Sequence, residues 1–129
     1  LGKKKTIITK NKFMKGYKID SINRQVTEVE LSSDYRDIYN VVNCETFACP
    51  YITAENDALY CDDEGLLKPV EGFFLLEGYS QPIAGNGLIL GTDDEGDSAD
   101  ARVDLETLKS RVKFMTHSQA YQHALNSYQ

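Results

Sequence analysis

Two wholly apolar runs, Phe73–Leu76 and Leu88–Leu90, are the densest hydrophobic stretches of this chain, and glycines, a proline or clustered acids box each of them in. Runs this short suit buried strands. They exclude a membrane-spanning helix, which needs about 18 or more consecutive apolar residues. Between them, turn chemistry recurs: Pro69–Gly72, the stretch Gly78–Gly87 ending in Asn-Gly, and the acidic GTDDEGDSAD from Gly91 to Asp100. At 129 residues the chain is expected to form one domain. With 41% apolar and 26% charged residues, it can build an ordinary core without metal or disulfide staples. Nothing at the start reads as an apolar signal segment, so a soluble protein of the cytoplasm is expected.

Residue periods supply the elements. Tyr17 and Ile19 alternate with Lys18 and Asp20, Ser21–Arg24 reads as a turn, and a second strand follows over 25–31. Ser32-Ser33-Asp34 can start a helix whose apolar face is Tyr35, Ile38, Tyr39 and Val42, stopped near Asn43. Thr46–Ile52 is strand-like, with Pro50 marking an edge or bulge. Thr53–Asp57 reads as a turn, Ala58–Cys61 as a strand and Leu66-Leu67 as a short returning strand. Asp104 can cap a helix with Leu105, Leu108 and Val112 on one face. Val112–Met115 closes as a strand, and Ala120, Tyr121, Ala124 and Leu125 allow a short helix. The expected fold class is α+β: a single domain, mainly antiparallel sheet with two or three short helices. Residues 1–13 read as a basic flexible extension, since Met14 would serve as a translation start. Residues 14–115 form the α+β domain, and 116–129 a polar C-terminal segment.

The net charge of −6 conceals a division: residues 1–24 carry +7 and residues 25–129 carry −13. An acidic body repels phosphate backbones, so nucleic acid is not expected as a partner except through the basic N-terminal segment. Cys44, Cys49 and Cys61 are an odd count without a C-x-x-C, which fits reduced thiols. Only His117 and His123 could join them, too few for a zinc set. No cofactor is implied.

Catalytic patterns fail on position. Neither copy of Asp-Asp-Glu-Gly, at 62–65 and 93–96, fits an EF-hand loop; a looser cation site from Asp93, Asp94, Asp97 and Asp100 stays as a candidate. Gly85, Gly87 and Gly91 give a G-x-G-x-x-x-G run, one residue too long for a dinucleotide fingerprint and followed by no helix signal. Small residues there would let peptide N–H groups approach a ligand. Gln81, Asn86, Gly87, Gly91, Thr92 and Asp93 are therefore the candidate binding residues for a polar ligand or a partner's backbone.

From LYCDDEGLLKP through GYSQPIAGNGLILGTDDEGD, the chain resembles a domain-of-unknown-function family found mainly in phages, plasmids and mobile elements. The likeness runs from about Ile19 to Phe114. It rests on the opening strand, the Tyr60–Gly65 strand-turn, and the Gln81–Asp93 loop with Pro82, Ala84, Gly85, Asn86, Gly87, Leu88, Gly91 and Thr92. Ser80 departs from the proline expected there. The resemblance implies no chemistry, but it implies a phage or mobile-element origin. The expected function is a non-enzymatic binding protein acting on a host protein in the host-cell cytoplasm, in counter-defence or regulation, with 81–93 as its recognition loop. Two alternatives stand beside it: a binder of a small nucleotide-like ligand using the same loop, and a metal-dependent hydrolase using the DDEG carboxylates.

Overall fold

A computed structural model describes residues 13–126; the expected basic extension, but for Phe13, lies outside them. Every strand pairing is antiparallel, in two sheets. The larger has the order β2-β1-β7-β4-β3, built from β1 (Met14–Asp20), β2 (Gln25–Leu31), β3 (Phe47–Ile52), β4 (Asp57–Asp62) and β7 (Gly87–Thr92). A two-residue β8 (Ser98–Ala99) pairs with Gly91 and Thr92 on the side of β7 away from β4. The smaller sheet has the order β6-β5-β9, from β5 (Phe73–Leu76), β6 (Ile83–Ala84) and β9 (Val112–Met115). Three helices complete the chain: α1 (Arg36–Val42), α2 (Leu105–Arg111) and α3 (His117–Asn126). The fold is α+β.

Alternation along β7 sorts the core. Ile89 faces one side with Tyr17, Leu59, Phe74 and Leu76, forming the main cluster between the two sheets. Leu88 and Leu90 face the other side, where Ile38 and Val42 of α1 cover them. All three β7 residues are at most 1% exposed, and each buried aliphatic side chain stabilises the fold by about 1.5–3 kcal/mol. A third cluster, Phe73, Ala84, Met115 and Ala120, lies where α3 covers the small sheet.

Local chemistry sets the helix ends. The Asp37 carboxylate accepts bonds from the Ser32 N–H and hydroxyl, and Asn43, at φ 62°, ends α1 in the left-handed conformation. Asp104 accepts the Thr107 N–H at 2.8 Å, the expected cap of α2. Pro50 lies where the β3 register shifts, on the sheet edge.

Four expectations are corrected. Leu66-Leu67 belongs to a 3-10 turn, Gly65–Leu67, not to a strand, because Lys68 and Pro69 follow before any partner strand is reached. The Gly78–Gly87 stretch is not loop throughout: Ile83 and Ala84 pair with Phe74 and Phe73, and Gly87 opens β7. The acidic stretch after Gly91 is a tight β7–β8 connection, with Gly91, Thr92, Ser98 and Ala99 all in strands. Asp57 starts β4 and is wholly buried, rather than ending a turn.

Candidate functional site

β4 and β7 run antiparallel, so the end of β4 and the start of β7 meet at one end of the sheet: Cys61 pairs with Gly87. That register brings the Asp62–Gly65 turn against the Gln81–Asn86 segment. Gly65 suits the close approach, since a Cβ there would lie 3.3 Å from both the Cβ and the carbonyl oxygen of Ala84 and press on them slightly. Asp62 organises the turn: its Oδ1 accepts the Glu64 N–H at 2.9 Å and its Oδ2 accepts from Lys68 Nζ at 2.7 Å. That carboxylate is the first cause holding the Lys68 ammonium above its ordinary value. The Ser21 hydroxyl donates to the Gly85 carbonyl, and the Gly85 N–H to the Gly72 carbonyl, tying the β1–β2 turn to the same end.

Three hollows share these residues. One of about 300 Å³ lies between Pro50, Asp62, Asp63, Tyr79, Gln81 and Pro82. A second, of about 320 Å³, lies on the other side of Asp62, among Ile22, Asn43, Lys68, Glu71 and Asn86. Asn86 lines this hollow, and its Oδ1 is closed to solvent without a hydrogen-bond partner. A third, of about 190 Å³, is mainly apolar: Leu66, Phe73, Pro82, Ala120, Tyr121 and Ala124, with Gln81 at its rim. Next to it Leu66 and Leu67 are 77% and 82% exposed, and Tyr121 61%. Exposed large apolar groups grouped beside a groove mark interaction surfaces more often than isolated ones do.

The candidate residues divide between two places. Gln81 and Asn86 stand at this end. Gly87 and Gly91 lie inside β7, where a Cβ on Gly87 would meet the Phe74 ring at 2.6 Å and one on Gly91 would collide with the Asp100 backbone. Both glycines serve packing. Thr92 and Asp93 sit at the far end of the strand, about 17 Å away at ~3.3 Å per residue. The Thr92 hydroxyl donates to the Asn56 carbonyl, and Asp93 Oδ1 accepts the N–H groups of Glu95 and Asp97. The 81–93 segment is therefore not one recognition loop, because half of it is the central strand of the large sheet.

The two DDEG copies occupy opposite ends of the sheet and do not form a carboxylate pair. In both, the first aspartate accepts the N–H two residues on, an Asx turn. Of the cation candidates, Asp93 is engaged in its own turn and Asp100 Oδ1 accepts the Lys15 N–H. Among the described residues, no three His, Cys, Asp or Glu side chains are grouped to hold a metal ion. Cys44, Cys49 and Cys61 are free thiols, and burial pushes Cys61 up to about 11. Such a thiol is a poor nucleophile near neutrality.

Sequence reasoning missed Leu66 and Leu67 as surface residues and Asp57 as a buried one. Asp57 Oδ2 accepts the Val103 N–H at 2.9 Å, and Oδ1 the Arg102 N–H at 2.9 Å. It pins the 101–104 segment to β4. A lone acid ahead of Ala-Leu-Tyr-Cys was the available signal.

A small antiparallel α+β domain with an exposed apolar end is thus the class of protein defined by fold and surface. A family model, Domain of unknown function (DUF3846), matches residues 14–113, and the chain belongs to that family. No curated protein and no solved structure matches it.

Proposed function

We propose that the chain is a non-enzymatic binding protein that engages another protein through the end of the molecule formed by the 3-10 turn, Gln81-Pro82 and α3. The observation that carries this reading is the exposure of Leu66 and Leu67 beside the apolar groove. Two adjacent leucines left in water bring the free domain no burial energy. Covering both would release about 1.5–3 kcal/mol apiece. Exposed Asp63 and Glu64 lie just before them, Asp62 being paired with Lys68, so the matching partner surface is apolar at its centre with a basic group at its edge. If the protein comes from a phage or mobile element, that partner is a host factor in the host-cell cytoplasm, and the role is counter-defence or regulation. Leu66→Ser with Leu67→Ser tests this. Capture of a defined bacterial protein by the native chain should be lost in the double variant, while its melting temperature stays unchanged. Capture undiminished by the double variant would sink the reading.

A second reading, small-ligand binding, has its own support in Asn86. A buried acceptor without a partner costs about 1–3 kcal/mol, and a turn of the Asn86 side chain towards a ligand N–H donor in the hollow it lines would offset it. Asn86→Ala should leave the free protein as stable as before or more so, and abolish any melting shift produced by a panel of cyclic and linear nucleotides. Marked destabilisation of the unliganded variant in urea would show that the amide serves the fold alone.

A further inference from the structure

Away from that end, a hollow of about 470 Å³ runs along the seam where β2 meets α2 and β9, lined by Arg24, Gln25, Val26, Thr27, Lys109 and Phe114. No acidic side chain lines it, although acids outnumber bases 20 to 14 in the whole chain. Its two cations are uncommitted. Among the described residues Arg36, Arg102 and Arg111 pair with Asp34, Asp57 and Glu55, and Arg24 is the one arginine without an ion pair. Lys109 likewise has none, nor among the described residues do Lys15, Lys18 and Lys113; of these lysines Lys109 is the one that lines the hollow.

Arg24 is also costly where it stands. It closes the β1–β2 turn at φ 55°, a left-handed conformation that glycine and asparagine adopt far more readily. Turn geometry alone would choose one of those residues, so the guanidinium is not explained by the turn. The turn in turn presents it from a well-tied hairpin: Asp20 accepts bonds from Ile22 and Asn23 just before it. Val26 is buried and Phe114 half-buried, and both belong to the main core, which gives the hollow a fixed apolar floor. Because β2 is the edge of the large sheet, alternate peptide groups on its outer side have no ladder partner and can bond a ligand.

We infer that this seam is a binding site for a small nucleotide: a phosphate held by Arg24 and Lys109, hydrogen bonds from Thr27 and Gln25, and a planar base against Phe114. Arg24 and Lys109 both line the hollow, and cations that reach a bound phosphate make charge-assisted bonds, the strong class of hydrogen bond. An aromatic ring offers a base a stacking face whatever its identity. The volume lies within the usual range for small-molecule sites. Size discriminates further. A body of −13 repels a long polyanion along its whole length, whereas a single phosphate feels mainly the charges within about 10 Å.

Calorimetry and ligand-observed NMR on the full chain at low salt, with AMP, GMP, inorganic phosphate and single-stranded RNA, test the site. AMP or GMP should bind saturably and about tenfold more tightly than inorganic phosphate. Arg24→Asn, which keeps a residue suited to the left-handed turn, and Lys109→Gln should each weaken nucleotide binding about tenfold. Phe114→Leu should abolish the preference for nucleotide over phosphate. A cooperative melting transition will show that each variant remains folded, with the melting temperature unchanged for the exposed Arg24→Asn and Lys109→Gln and modestly lowered for Phe114→Leu, whose ring packs on the main core. No saturable binding up to about 10 mM nucleotide, or equal binding by an Arg24→Asn/Lys109→Gln double variant, would overturn the inference. So would RNA binding tighter than the mononucleotides with the same dependence on Arg24 and Lys109, which would identify the seam as a nucleic-acid surface.

Discussion

Much of the acidity of this chain is spent on turns. Asp20, Asp34, Asp62 and Asp93 each accept the N–H two residues further on, so three of the acids that make the body negative, and the single acid of residues 1–24, are local fold determinants. Asp57 is different in kind: wholly buried, it supplies the only side-chain acceptor seen for the Val103 N–H among the described residues. Asp57→Ala should cost about 3 kcal/mol in urea unfolding, since it orphans buried donors as well as removing their partner. A loss below about 1 kcal/mol would mean that water replaces the carboxylate. Glu55 gives the pH dependence. The Arg111 guanidinium bonded to it at 3.0 and 2.7 Å holds its carboxyl at about 2, against an ordinary 4.5. A carboxyl lowered by folding contributes stability that is complete above the ordinary value and disappears as pH falls through the folded one. Glu55→Gln should therefore lower the urea midpoint at pH 6, and the gap from the native chain should close as pH drops from about 4.5 towards about 2.

At the scale of elements, the central strand depends on what its glycines leave out. Gly87→Ala would drive a methyl to within 2.6 Å of the Phe74 ring, which is itself wholly buried and has nowhere to go. Overpacking of this kind should cost about 1–3 kcal/mol, whereas alanine at Gly65, facing Ala84 at 3.3 Å, should cost less. Urea midpoints of the two variants, compared in one buffer, check the order. The same strand shows what the sequence makes legible. Tyr17–Asp20 and the Ile38/Val42 face of α1 were readable because β1 buries Tyr17 and Ile19 in the main cluster and α1 buries Ile38 and Val42 against the opposite face of the large sheet, and such burial writes a period into the residues. Ile83-Ala84 was not, since a two-residue strand has no period and owes its existence to Phe73 and Phe74, ten residues away. Leu66 and Leu67 misled for the opposite reason. Two adjacent leucines read as a short strand, while the 3-10 turn that holds them leaves both in water. Of the candidate site, Gln81 and Asn86 were found through their polar chemistry. Arg24 and Lys109 were not, because ion pairing is a property of the fold: nothing local separates an uncommitted arginine from Arg36 or Arg111.

For the whole molecule, the two sheets stand on different footings. The large sheet is buried on both faces around β7, by α1 on one side and by the main cluster on the other. The small sheet shares that main cluster through Phe74 and Leu76, while its outer residues Phe73 and Met115 form a separate cluster with Ala84 and Ala120 of α3, and His117 of α3 packs edge-on to Phe73. α3 also lies beyond the family match, which ends at residue 113. The DUF3846 core thus carries an attachment that both completes the small sheet and forms one wall of the apolar groove through Tyr121 and Ala124. Deleting residues 116–129 should then act unevenly. Hydrogen exchange should show β5 and β9 losing protection, with β1, β4 and β7 remaining the slowest amides, and global stability should fall by about 1–3 kcal/mol for the re-exposed apolar area. If all strands instead lost protection together, the small sheet would be an inseparable part of one cooperative unit. Because the same deletion removes a wall of the groove but none of the residues lining the β2–α2–β9 seam, protein capture should be abolished, while mononucleotide binding should persist, weakened only as far as the loosening of β9 frees Phe114.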